Sequence, residues 1–178
     1  MKITVVGGTG YVGLTTAACL AHKGHMVYCI GRNSQKIAEI NKGNPPIYEE
    51  GLDEILEAAV SERLLVATTD FGKPVFESSV TFICVGTPCK EDGAIDLSQL
   101  RTAVENIGRS ITNKEDYFVI VVKSTVVPGT TQEVVIPILE ELSKKKSCKD
   151  FGVCVNPEFL RQGSAVKDFL FPKAQGIV

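Results

Sequence analysis

The chain has 178 residues, 44% hydrophobic and 22% charged, with a net charge of -2. That is about one domain's length with enough apolar side chains for an ordinary core, which excludes disordered and fibrous classes. The charge lacks the basic footprint of nucleic-acid binding, and no apolar run approaches the roughly 20 residues that span a bilayer. Glycines interrupt "MKITVV" before it could serve as a signal-peptide core, so a cytoplasmic location is expected, with no nucleic-acid or membrane partner.

Along the chain, "KITVV", "MVYCI", "LLVA", "VTFICV", "FVIVV" and "GVCV" read as short β-branched strands, apolar nearly throughout, as strands covered on both faces must be. Helical segments begin between and after them, near Gly10, Ser34, Gly51, Leu97, Thr130 and Ser164. Asp96 is placed to cap the Leu97 segment, which repeats apolar residues at Leu97, Leu100, Val104 and Ile107. The alternation predicts an α/β fold with a doubly wound parallel sheet, Rossmann-like, built on right-handed crossovers. "SKKKSCKD" reads as a solvated helix end and loop.

The first strand runs straight into "GGTGYVG", where Gly8, Gly10 and Gly13 fit GxGxxG. The spacing supplies a tight turn, a close backbone approach to pyrophosphate and close helix-strand packing. Tyr11 and Val12 fall in the helix's first turn, where free N–H groups face an anion. Gly7 makes the turn one residue generous. Folds of this kind usually end the second strand with a carboxylate for the adenosine ribose; here Gly31 stands there, followed by Arg32, Asn33, Ser34 and Lys36. The missing carboxylate removes repulsion toward a 2′-phosphate, and a guanidinium can bind that phosphate, so NADP is expected beside NAD. The alternative is a solvent-facing Arg32.

The six cysteines, Cys19, Cys29, Cys84, Cys89, Cys148 and Cys154, include no CxxC pair and have only His22 and His25 as imidazoles, so no metal site is expected. Most stand in or beside apolar runs and read as structural.

Further stretches, "PIYEEGLDEIL", "FICVGTPCKEDGAIDLS", "VVKSTVVPGTT" and "NPEFLRQGSAVKDF", occur in order with "GTGYVGLTTAACLAHKGH". Together they make the chain resemble the N-terminal NAD(P)-binding domain of the UDP-glucose/GDP-mannose dehydrogenase family of nucleotide-sugar dehydrogenases. The resemblance implies that Thr87, Ser124 and Thr125 meet the cofactor at the carboxyl edge of the sheet, Thr125 also positioning a catalytic water. It implies that Glu158 assists proton transfer, that Phe159, Leu160 and Arg161 contact the nucleotide-sugar, and that Gln162 touches cofactor or substrate. Alone, Glu158 after Asn-Pro would read as a turn or helix-start residue, and either threonine as a strand-end cap.

Three departures from the family stand out: Gln162 where a second glutamate is usual, Glu50 where proline is usual, and the tail "PKAQGIV" in place of the usual strand. The resemblance further implies oxidation of UDP-glucose to UDP-glucuronate in two NAD(P)-dependent steps through an enzyme-bound thioester, as in polysaccharide biosynthesis. The thiolate for that chemistry comes in the family from a GxCxPKD-like motif, which this sequence lacks. Residues 1–178 are therefore expected to be the dinucleotide-binding domain alone, inactive without a central helix, a C-terminal nucleotide-sugar domain and the homodimer they form. The alternative is a stand-alone dinucleotide-binding or assembly module.

Overall fold

The computed structural model describes residues 1–172, so most of the "PKAQGIV" tail lies outside the described residues. Each of the six apolar runs forms one strand: β1 (Lys2–Val6), β2 (Met26–Ile30), β3 (Leu65–Thr68), β4 (Val80–Ile83), β5 (Phe118–Val122) and β6 (Phe151–Val155). They lie in the order β3-β2-β1-β4-β5-β6, every pairing parallel. This is the doubly wound sheet that the alternation predicts.

The helices α1 (Tyr11–His22), α2 (Ser34–Ile40) and α3 (Leu52–Ser61) belong to the first half, and α4 (Gly72–Glu77), α5 (Ser98–Ser110), α6 (Ile136–Ser143) and α7 (Ala165–Leu170) follow. Successive strand residues serve opposite faces. On β1, Val5 packs with Leu14 and Ala18 of α1 and Leu56 of α3, whereas Val6 packs in a second core with Leu100 and Val104 of α5. Helix α1 is buried along most of its length, which its small residues Thr15, Thr16, Ala17 and Ala18 permit. The connection reverses direction between β1 and β4, where their carboxyl ends leave a crevice.

Four local details differ from the sequence reading. Strand β6 is an edge strand whose carboxyl end is uncovered, so Cys154 and Val155 are exposed although their run is apolar. Helix α4 has only six residues with Pro74 among them, too short to show a periodicity. Helix α5 begins at Ser98 rather than Leu97, and the Asp96 carboxylate accepts the Ser98 amide at 2.8 Å. The segment expected to start near Thr130 opens with a π-helical turn, Thr131–Val135, before α6. Pro137 has no N–H for the carbonyl four residues back, which accounts for the widened turn beside it.

Candidate cofactor site

The crevice encloses about 620 Å³ between the β1–α1 turn, the ends of β2 and β4, and one face of α5. That volume is within the range of about 300–1,000 Å³ usual for ligand pockets. Gly7 and Gly8 both donate their N–H to the Ile30 carbonyl, at 3.0 and 2.8 Å, and Gly10 donates back to Gly7 at 3.1 Å. The additional glycine, Gly7, takes the left-handed conformation, at φ +85°.

A Cβ at Gly13 would lie 2.2 Å from the Gly7 carbonyl oxygen, and one at Gly8 would lie 2.4 Å from the Cys29 Sγ. Only glycine lets helix and turn approach this closely. No side chain caps α1 and no acid stands in its first turn, so the N–H groups of Tyr11, Val12 and Gly13 face outward without an intrahelical acceptor. The arrangement fits a pyrophosphate.

At the end of β2, the Gly31 amide donates to the Thr68 carbonyl at 3.1 Å. A Cβ at this position would come within 2.2 Å of Thr9 Cγ2, so Thr9 in its present rotamer leaves no room for a carboxylate side chain. Asn33 caps α2, its Oδ1 accepting the Lys36 amide at 3.0 Å. Arg32 and Lys36 both line the crevice, whose described lining contains no Asp or Glu. The Arg32 guanidinium reaches to α5, where Nη2 donates to Gln99 Oε1 at 3.2 Å.

A second group gathers at the carboxyl ends of β4 and β5. The Thr87 hydroxyl donates to the Thr125 carbonyl at 2.7 Å, and the buried Ser124 hydroxyl donates to the Val85 carbonyl at 2.7 Å. Thr125 is exposed. Beside them the buried Lys123 Nζ donates to Asn156 Oδ1 at 3.2 Å. Burial pushes the Lys123 pKa down, with Cys84 and Glu158 acting the other way. Burial likewise pushes the Cys84 thiol up to about 12, so at neutral pH it is protonated and a poor nucleophile.

The "NPEFLRQG" loop forms a third group. Glu158 Oε2 accepts the Leu160 amide at 2.8 Å, Phe159 is exposed, and Gln162 faces solvent. Arg161 forms a two-pronged pair with Asp168 of α7, with Nε and Nη2 at 2.9 and 2.8 Å from its two oxygens. That hydrogen-bonded pair holds the Asp168 carboxyl down at about 2. Of the expected cofactor residues, Gly10, Gly31, Arg32, Asn33 and Lys36 line the crevice, while Thr87, Ser124 and Thr125 sit at the neighbouring strand ends. Phe159, Leu160, Arg161 and Gln162 do not line it.

The family model described as "UDP-glucose/GDP-mannose dehydrogenase family, NAD binding domain" matches residues 1–176. The chain belongs to this family. It is 47% identical over 172 residues to GDP-mannose 6-dehydrogenase of Pseudomonas aeruginosa, covering 97% of this chain and 39% of that protein. It is 42% identical to a UDP-glucose 6-dehydrogenase of Haloferax volcanii over 97% of its own length and 39% of the relative's. A crystal structure of the Pseudomonas aeruginosa GDP-mannose dehydrogenase in a ternary complex superposes with a TM-score of 0.94 at 47% identity, covering 97% of this chain and 39% of that one. The UDP-glucose dehydrogenase of Pyrobaculum islandicum gives 0.89 at 39% identity, over 96% and 38% of the two chains. The chain thus spans about two fifths of the length of these family members.

Within this family domain, several residues of the site escape sequence reasoning. Phe71, Gln99, Thr102 and Asn106 line the crevice. The last three recur at helical spacing along α5, and that polar stripe was the available signal. Glu49 is the other. It is 2% exposed, and its carboxylate accepts the Tyr11 hydroxyl, the Gly163 amide at 2.8 Å and the Ala165 amide at 2.6 Å. Burial opposes its charge, but these donors outweigh burial and hold its carboxyl below the usual range. No helix among the described residues is long and apolar enough to cross a membrane.

Proposed function

We propose that the chain is the dinucleotide-binding part of a nucleotide-sugar dehydrogenase. The observation that carries this reading is the uncapped α1 N-terminus pressed onto the glycine turn at the mouth of the β1/β4 crevice. Gly8, Gly10 and Gly13, with the amides of Tyr11 and Val12, hold the pyrophosphate; Gly31, Arg32, Asn33 and Lys36 hold the adenosine ribose. Thr87, Ser124 and Thr125 border the nicotinamide end. Bound NAD(P) supplies a hydride acceptor. Glu158 takes a proton from the reacting group or its water, which Thr125 orients. Phe159, Leu160, Arg161 and Gln162 face the nucleotide-sugar.

The absence of a lining carboxylate, together with Arg32 and Lys36, favours NADP at least as strongly as NAD. A charge-assisted contact to a 2′-phosphate contributes about 1.5–3 kcal/mol, or roughly 10- to 150-fold, before salt trims it. The substrate we propose is a hexose nucleotide oxidised at C6. UDP-glucose is the expectation from the motifs, and GDP-mannose is the substrate named for the relative at 47% identity. Calorimetry of the chain with NAD and NADP at one fixed salt concentration tests the reading. Binding of either supports it, and no heat of binding with both overturns it.

A further inference from the structure

The Asn156–Ser164 loop follows β6, and its ends are held unequally. At its start the Asn156 amide donates to the Val122 carbonyl at 2.9 Å, and the Asn156 side chain meets Lys123. From Pro157 to Ser164, hydrogen bonds among the described residues otherwise stay within the loop or join it to α7: Glu158 to Leu160, Arg161 and Ser164 to Asp168, and Ser164 to Arg161. One bond reaches the body of the domain, from the Gly163 amide to Glu49. The same carboxylate takes the Ala165 amide, where α7 starts.

Glu49 is fixed on two further sides. Its own carbonyl accepts the Leu52 amide at 3.1 Å, which anchors it to the buried start of α3. Its third carboxylate partner is the Tyr11 hydroxyl, and Tyr11 is the first residue of α1, next to Gly10 of the dinucleotide turn. A buried carboxylate with several donors is costly to strip of any one of them, because the remaining charge is left under-solvated.

We propose that Glu49 is a positioning residue that couples the dinucleotide turn to the Asn156–Ser164 loop, through Tyr11 on one side and the Gly163 and Ala165 amides on the other. The coupling rests on the cofactor reading above. Dinucleotide at the α1 N-terminus restrains Tyr11, Tyr11 restrains the carboxylate, and the carboxylate holds the far end of the loop that carries Glu158. Order at the cofactor turn is thereby transmitted to the loop over a sequence separation of more than 100 residues, as the Gly163 bond at 114 residues records.

Residue-resolved amide hydrogen exchange of the 178-residue chain, with and without saturating NAD or NADP, tests this. In the parent chain, dinucleotide should slow exchange at Gly163 and Ala165. Glu49→Gln keeps the shape but turns an N–H₂ toward one of the two amides, and should speed exchange at both by roughly tenfold or more. The Val5 and Ile120 amides report whether the core has stayed folded. Tyr11→Phe leaves the carboxylate on the two amides and should abolish their response to dinucleotide. Unaltered exchange at Gly163 and Ala165 in Glu49→Gln with a protected core, or a parent chain that binds dinucleotide without slowing them, overturns the proposal. A chain that binds neither cofactor fails the functional reading instead, and the Glu49→Gln comparison without ligand still decides the tether.

Discussion

The Thr87 side chain ties the end of β4 to the end of β5, its hydroxyl 2.7 Å from the Thr125 carbonyl. The bond fixes the backbone of Thr125 while leaving the Thr125 side chain exposed. Thr87→Val removes the donor at nearly constant volume and should lower stability by about 0.5–1.5 kcal/mol, while Thr87→Ser should restore most of it. Urea unfolding of the two variants measures the difference, and equal midpoints for Val and Ser would mean that water replaces the hydroxyl at no cost.

Arg32 decides cofactor choice if its guanidinium swings from Gln99 to a 2′-phosphate. Arg32→Ala should then weaken NADP by roughly 10- to 150-fold more than it weakens NAD. Calorimetry at low and at physiological salt should show the NADP advantage shrinking as salt rises. A parent chain with a clear preference for NAD would mean that Arg32 serves only its bond to Gln99.

Gly13→Ala places a methyl group 2.2 Å from the Gly7 carbonyl oxygen, a backbone atom that cannot rotate away. The helix must lift from the turn, so a stability loss of about 1–3 kcal/mol and loss of dinucleotide binding are expected. Thermal unfolding and calorimetry on the same sample report the two effects. Gly24→Ala, where a Cβ would meet nothing within 4 Å but φ is +85°, isolates backbone strain from crowding.

Burial pushes the Cys19, Cys29 and Cys84 thiols up to about 12, and the sequence lacks the GxCxPKD-like motif expected to supply the thiolate. The purified chain should therefore bind dinucleotide yet reduce none of it when UDP-glucose or GDP-mannose is added. Substrate-dependent formation of reduced cofactor, followed by absorbance, would place a working nucleophile inside these residues and reverse that expectation.

The Arg161–Asp168 pair sets a pH window. Hydrogen bonding to Arg161 depresses the Asp168 carboxyl from 3.8 to about 2. A depressed carboxylate contributes stability that is complete above its unfolded value and disappears as pH falls through the folded one. Attachment of the loop to α7 should therefore persist at pH 4 and fade toward pH 2, about the folded pKa. In Asp168→Asn the Arg161 Nε–H signal should lose this titration; an unchanged titration would assign it to another carboxylate.

Much of the architecture was legible because it rests on local composition. Six β-branched runs separated by helical periods leave little choice but a parallel sheet, and a strand ending in GxGxxG locates its crevice. What the sequence did not reveal depends on neighbours brought in from far along the chain. Val155 is apolar yet exposed because no seventh strand or helix covers the end of β6 among the described residues. Glu49 lies in a proline-containing loop and looks solvated until Gly163 and Ala165 arrive to meet it. Gln99 sits on a helix whose apolar stripe draws attention to the opposite face. The widened turn before α6 differs from an ordinary one by a single residue per turn, a change that periodicity does not resolve.

The close approach of Thr9 to the space beside Gly31 makes those two positions sterically dependent on one another. An acidic side chain at 31 would arrive into an occupied volume, and a smaller residue at 9 would bring no benefit until the acid was there. An acidic residue at 31 therefore requires residue 9 to be repositioned or trimmed as well. With threonine at 9 in this rotamer, glycine is the residue that fits at 31, so the two positions act as one steric unit.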